Sequence, residues 1–145
     1  MKTKSEKAAA YFENGFNCAQ SVFSTFCERY GLDEESALKI ASGLGGGFRS
    51  GEICGAVSGA VLVVGLKYGQ SIADDLDVKR NCNAKAEEFI QVFRERNGSI
   101  VCRELLGCDL STEEGRAQAK RDNLFRTICD EKVRNAVDLL DELGY

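Results

Sequence analysis

Apolar residues recur at intervals of three and four along most of this chain, and no stretch shows the strict alternation of a half-buried strand. The pattern predicts helices. One spans Ser5 to Asn14 and is closed by Gly15 in a left-handed cap. Asn17 caps a second, which runs to Tyr30 and stops at Gly31; Asp33 caps a third, toward Ser42. A glycine-rich turn from Gly43 to Gly51 leads into an apolar helix over about Glu52 to Lys67. Asp74 or Asp75 starts a long amphipathic helix that ends near Asn97, before Gly98. Ser99 caps a short helix to Leu106. Ser111-Thr112-Glu113-Glu114 reads as a capping box for the next helix, and a C-terminal helix runs to Leu143. The expected fold is all-α: a compact single-domain bundle of about six to eight helices around a central, small-residue-rich apolar helix. One domain accounts for residues 1–145, a length that suits a single core.

Composition narrows the chemistry. The chain has no histidine, which excludes Ser-His-Asp and Cys-His catalysis and any histidine-ligated zinc or haem. It also lacks proline, so glycine has to punctuate the helices. A net charge of −4 argues against nucleic acid as a partner. The charged N-terminal segment carries no export signal. The apolar run from Ile53 to Leu66 is short for a membrane span and is interrupted by glycines, so it is expected to be a buried core helix. Gly55 and Gly59, four apart on one face of that helix, predict close backbone contact with a neighbour. The preceding glycine-rich run lacks the lysine and hydroxyl of a phosphate-binding loop, and no strand leads into it, so it is expected to be a tight turn.

Seven cysteines are the unusual feature. An odd count without an export signal points to free, catalytic or metal-bound thiols in a reducing cytoplasm. None falls in a CxxC pair. Three share a setting: Cys18 follows the Asn17 cap, Cys54 falls in the first turn of the apolar helix, and Cys102 lies three residues after Ser99. Unpaired N–H groups at a helix start favour a thiolate. That effect is only about 0.3–1 kcal/mol, so a cation or metal is needed as well. Arg49 near Cys54 and Arg103 beside Cys102 are the candidate cations. Cys129 falls in register with Phe125, Val133, Ala136 and Leu140, so it should face inward, and Asp130 and Glu131 would raise its pKa if they are near it. The remaining three read as packing residues. Cys82 shares a face with Ala86, Phe89 and Phe93, and Cys27 flanks the stripe of Val22, Phe23 and Phe26. Cys108 sits in a short loop, where pairing with Cys102 stays open.

Four segments together resemble the C_GCAxxG_C_C family, proteins named for redox activity. They are Phe16-Asn17-Cys18-Ala19-Gln20-Ser21-Val22; Gly45-Gly46-Gly47 leading to Cys54-Gly55-Ala56-Val57-Ser58-Gly59-Ala60; Cys102-Arg103-Glu104-Leu105-Leu106-Gly107; and Cys129. The likeness runs from about residue 8 to residue 140, although the central motif reads Cys-Gly-Ala-x-x-Gly here rather than in the order of the family label. It implies four shared cysteines: Cys18, Cys54, Cys102 and Cys129.

The expectation is that these four converge on one site between helices. In one version two of them exchange between dithiol and disulfide with a redox partner, protein or small molecule, with Cys54 as the nucleophile. In a second version the same four bind a metal or an iron–sulfur cluster. In a third the cysteines only pack, the chain is a helical binding or scaffold protein without a cofactor, and Cys54→Ser is nearly neutral. Self-association is left open.

Overall fold

A computed structural model describes all 145 residues. Eight α-helices follow one another: α1 (Lys4–Glu13), α2 (Cys18–Phe26), α3 (Glu34–Ile40), α4 (Gly55–Tyr68), α5 (Leu76–Asn97), α6 (Cys102–Leu106), α7 (Glu113–Arg121) and α8 (Asp130–Glu142). There is no sheet. No helix is long and apolar enough to cross a membrane.

Local chemistry explains most helix starts. The side-chain oxygens of Thr3, Asn17, Asp33, Asp75 and Thr112 accept from backbone N–H groups in the first turns of α1, α2, α3, α5 and α7. At α2 the cap is reciprocal: Gln20 N–H donates to Asn17 Oδ1, and Asn17 N–H donates to Gln20 Oε1. Three expectations need correction. Thr112 caps α7 through the Gly115 N–H, and no glutamate completes a box there. Cys54 is itself the residue that precedes α4, not a member of its first turn. Likewise α6 starts at Cys102 after an uncapped Val101, and the Ser99 hydroxyl accepts the Val101 N–H instead.

The main core is built by α4 packing on α2 and α5, with α8 closing from the side of α1. Val22, Phe26, Val57, Phe89, Phe93 and Leu140 are fully or almost fully buried in it. Gly55 and Gly59 do what their spacing predicts, and their neighbour is Ala19 of α2. A Cβ on Gly59 would lie 2.6 Å from the Ala19 carbonyl oxygen, and one on Gly55 would lie 3.0 Å from Cys18 Cβ. The bare face of α4 thus brings Cys18 and Cys54, the residues at the starts of α2 and α4, side by side. A second, smaller cluster contains Cys102, Leu106, Cys108, Leu110, Ala119 and Cys129.

Candidate functional site

Between the two clusters lies a cavity of about 340 Å³. Cys18, Cys54, Cys102 and Cys129 all line it, although they are distant in sequence. Each reaches it by a different device. Cys18 and Cys54 arrive through the α2–α4 contact. Cys102 is tied to Cys54 by a short antiparallel pairing of Ile53 with Val101. In that pairing the Cys54 N–H donates to the Ile100 carbonyl at 2.8 Å and the Cys102 N–H donates to the Glu52 carbonyl at 2.5 Å. Cys129 is carried in by a wide turn over Phe125–Cys129, closed by the Asp130 N–H donating to the Phe125 carbonyl. The turn follows Asn123, whose φ of 57° breaks the run from α7. Its altered register leaves Phe125 36% exposed at the cavity, although helical spacing from Cys129 predicts a buried position.

The other three cysteines do not line the cavity. Cys27 is buried and donates to the Ser24 carbonyl. Cys82 lies half-buried beside the main core. Cys108 packs in the small cluster with Cys102 and Cys129, but all seven cysteines are free thiols.

The four thiols differ in how readily they ionise. Burial pushes Cys54 up to about 11, although the Ala56 and Val57 N–H groups and the charge of Lys132 pull the other way. Burial and the neighbouring Cys54 and Cys129 sulfurs push Cys102 up to about 12. Cys18 and Cys129 act as a pair. Each thiol is the largest influence on the other, and the pairing raises Cys18 well above its ordinary value and lowers Cys129 below it. This reverses the expectation for Cys129. Its thiolate gains more from Cys18 than burial takes away, and neither Asp130 nor Glu131 contributes to the shift.

The charged lining is one-sided. Arg49, Arg116 and Lys132 face the cavity, and no aspartate or glutamate does. Of the cations expected from sequence, Arg49 is present, but Arg103 turns away to Glu52, 2.6 Å from its carboxylate. Arg116 and Lys132 had no local signal in the sequence. Arg49 sits on an uncommon backbone. Gly46, Gly47, Phe48 and Arg49 all have φ between 56° and 66°, so the glycine-rich segment makes a turn of left-handed helix. Such geometry costs a non-glycine residue about 1–2 kcal/mol. Strain of this kind persists where the surroundings hold it, often at functional sites.

The raised Cys54 thiol has a stability consequence. In the unfolded chain it ionises near 9.0 and in the fold near 11, so over that range the folded state holds more protons. Stability must then fall as pH rises, by up to about 1.4 kcal/mol per pH unit from this group. Thermal melts from pH 8 to 11 are expected to show a falling Tm, with a shallower slope in Cys54→Ala. Equal slopes in the two proteins would contradict the assignment.

A helical bundle that gathers four unpaired cysteines around one cation-lined cavity defines a class: all-α cysteine-centred proteins. Within that class the chain belongs to the family described as "Putative redox-active protein (C_GCAxxG_C_C)", whose model matches residues 16–143. No curated protein and no solved structure matches the chain.

Proposed function

We propose that the chain is a thiol redox protein in which Cys129 and Cys18 cycle between dithiol and disulfide. The observation that supports this most is the shared cavity: four family cysteines line one space in which an opposing thiol eases ionisation of Cys129. Cys129, rather than Cys54, is the nucleophile in this reading, because burial keeps Cys54 protonated at neutral pH.

The exchange balances as follows. The Cys129 thiolate attacks one sulfur of an oxidised, disulfide-bearing partner. That disulfide breaks, and its departing half leaves as a thiolate and takes up a proton. Cys18 then loses its proton and attacks the Cys129 sulfur, which releases the second half. Two protein thiols have lost two electrons and two protons, and the incoming disulfide has become two thiols. Cys54 and Cys102, joined through the Ile53–Val101 pairing, stay protonated and take no part in this step. An odd number of cysteines with none in a CxxC pair suits a reducing compartment such as the cytoplasm.

A second reading, an iron–sulfur cluster on the same four cysteines, is favoured by the cationic lining, which would balance a negatively charged cluster. Cys18, Cys54, Cys102 and Cys129 would hold it, and it would supply one-electron transfer. A single metal ion fits less well. It needs four sulfurs about 2.3 Å from one point, and no group of three or more potential ligands stands in a metal-holding arrangement.

Anaerobic purification followed by visible absorption, iron and sulfide analysis, and thiol counting before and after a mild disulfide oxidant tests both. Thiol exchange predicts a colourless protein that loses thiols in pairs and regains them with reductant. Stoichiometric iron and sulfide would overturn it in favour of the cluster. A colourless protein whose thiol count never changes would overturn both.

A further inference from the structure

We propose that the cysteine cavity takes a small linear disulfide whose ends carry carboxylates, held by Arg49 and Arg116 at its mouth. This rests on the thiol-exchange reading and names the substrate class for that site. The two guanidiniums line the cavity from exposed positions, while Lys132 lies deeper, with its side chain 13% exposed. Lys132 is already committed to Glu131 at 3.3 Å and to Asn97 Oδ1 at 3.0 Å. Neither Arg49 nor Arg116 takes part in any of the chain's eight ion pairs. Arg116 donates only to the Leu110 carbonyl, at 3.1 Å, which leaves most of its guanidinium donors free.

Three further observations point the same way. The lining contains no carboxylate, so nothing within the cavity competes for the guanidiniums or repels an anion. Arg49 is presented by a left-handed turn that a relaxed loop would not adopt, which argues that its position is held rather than incidental. The rest of the lining is largely apolar, with Leu105, Leu106, Leu110 and Ile128 in the same walls as the four sulfurs. Apolar walls, buried sulfurs and two uncommitted guanidiniums fit a short chain that is uncharged around its S–S bond and anionic at its termini. The cavity is large enough for such a molecule and falls at the small end of ligand pockets. Guanidinium forks are suited to carboxylates. The small disulfide is the oxidant: its S–S bond is replaced by one between Cys18 and Cys129, and it leaves as two carboxylate-bearing thiols.

The test uses three disulfides of similar size: 3,3′-dithiodipropionate with two carboxylates, bis(2-hydroxyethyl) disulfide without charge, and cystamine with two ammonium groups. Suberate, the unreactive dicarboxylate of matching length, reports recognition without redox chemistry. Suberate is expected to bind the reduced protein by calorimetry. The rate of protein thiol oxidation should fall in the order dianion, neutral, dication. Arg49→Gln and Arg116→Gln should each weaken suberate binding about tenfold, while Arg80→Gln, a surface arginine paired with Asp77, leaves it unchanged. Both test arginines are exposed, and circular dichroism checks that the variants fold. Absence of suberate binding, binding indifferent to both substitutions, or a flat or reversed charge order would overturn the proposal. Suberate binding with no reaction from any of the three disulfides would uphold anion recognition and remove the thiol-exchange reading instead.

Discussion

Cys129→Ser is expected to abolish the chain's fast reaction with an alkylating agent at neutral pH, leaving only the slow reaction of the remaining thiols. The reason is electrostatic. Cys129 is the one thiol of the cavity whose ionisation is eased, while Cys54 is held near 11, Cys102 near 12, and Cys18 well above its ordinary value. The thiolate is the reactive form. The companion variant, Cys18→Ala, removes the partner thiol and leaves the burial. Its rate-against-pH profile should move to higher pH, and its rate at pH 7 should fall about tenfold for every pH unit that the profile moves. Recovery at high pH would separate lost activation from lost structure. A Cys18→Ala profile superimposable on the parent would show that the pair does not interact as described.

Gly59→Ala should be strongly destabilising, whereas Gly65→Ala, in the same helix, should be neutral or stabilising. The added methyl at residue 59 would meet the backbone of Ala19, 2.6 Å from its carbonyl oxygen and 2.9 Å from its Cα. Backbone cannot swing aside as a side chain can, so α2 and α4 must separate. Overpacking of this kind costs about 1–3 kcal/mol, which corresponds to a fall in Tm of roughly 3–10 °C for a chain of this size. A methyl at residue 65 meets nothing within 4 Å. There the gain is the usual advantage of alanine over glycine inside a helix, about 0.5–1 kcal/mol. Because Ala19 follows Cys18 directly, Gly59→Ala should also disturb the Cys18–Cys129 pair and slow thiol modification. Equal melting temperatures for the two variants would contradict the close α2–α4 contact.

These contrasts show which parts of the molecule were legible in the sequence. Helix caps were largely readable because their chemistry is local: Asn17, Asp33 and Asp75 each act on the N–H group three residues away. Gly55 and Gly59 announced a close neighbour by their spacing, though not that the neighbour was Ala19. The four cavity cysteines were legible as a set through the family motif, and the three expected to pack, Cys27, Cys82 and Cys108, do lie outside the cavity lining.

What stayed hidden depends on contacts between distant segments. The Ile53–Val101 pairing is too short to leave an alternating pattern. A run of glycines signals freedom but not handedness, so the left-handed turn that carries Arg49 could not be foreseen. Arg116 and Lys132 look like any surface cations until the fold turns them toward the sulfurs. The ionisation of Cys129 is hidden for the same reason. Its sequence neighbours are acidic, yet the group that governs it is Cys18, 111 positions away by residue number (129 − 18).

The central claim is spatial, and a bifunctional thiol reagent reads it directly. Dibromobimane becomes strongly fluorescent when it bridges two nearby thiols, and peptide mapping identifies which two. The reduced, folded protein is expected to give a fluorescent adduct joining Cys18 to Cys129, lost in Cys129→Ser and absent after denaturation. An adduct confined to single cysteines, or one that joins Cys27 or Cys82 to another site while Cys18 and Cys129 stay unbridged, would contradict the shared cavity.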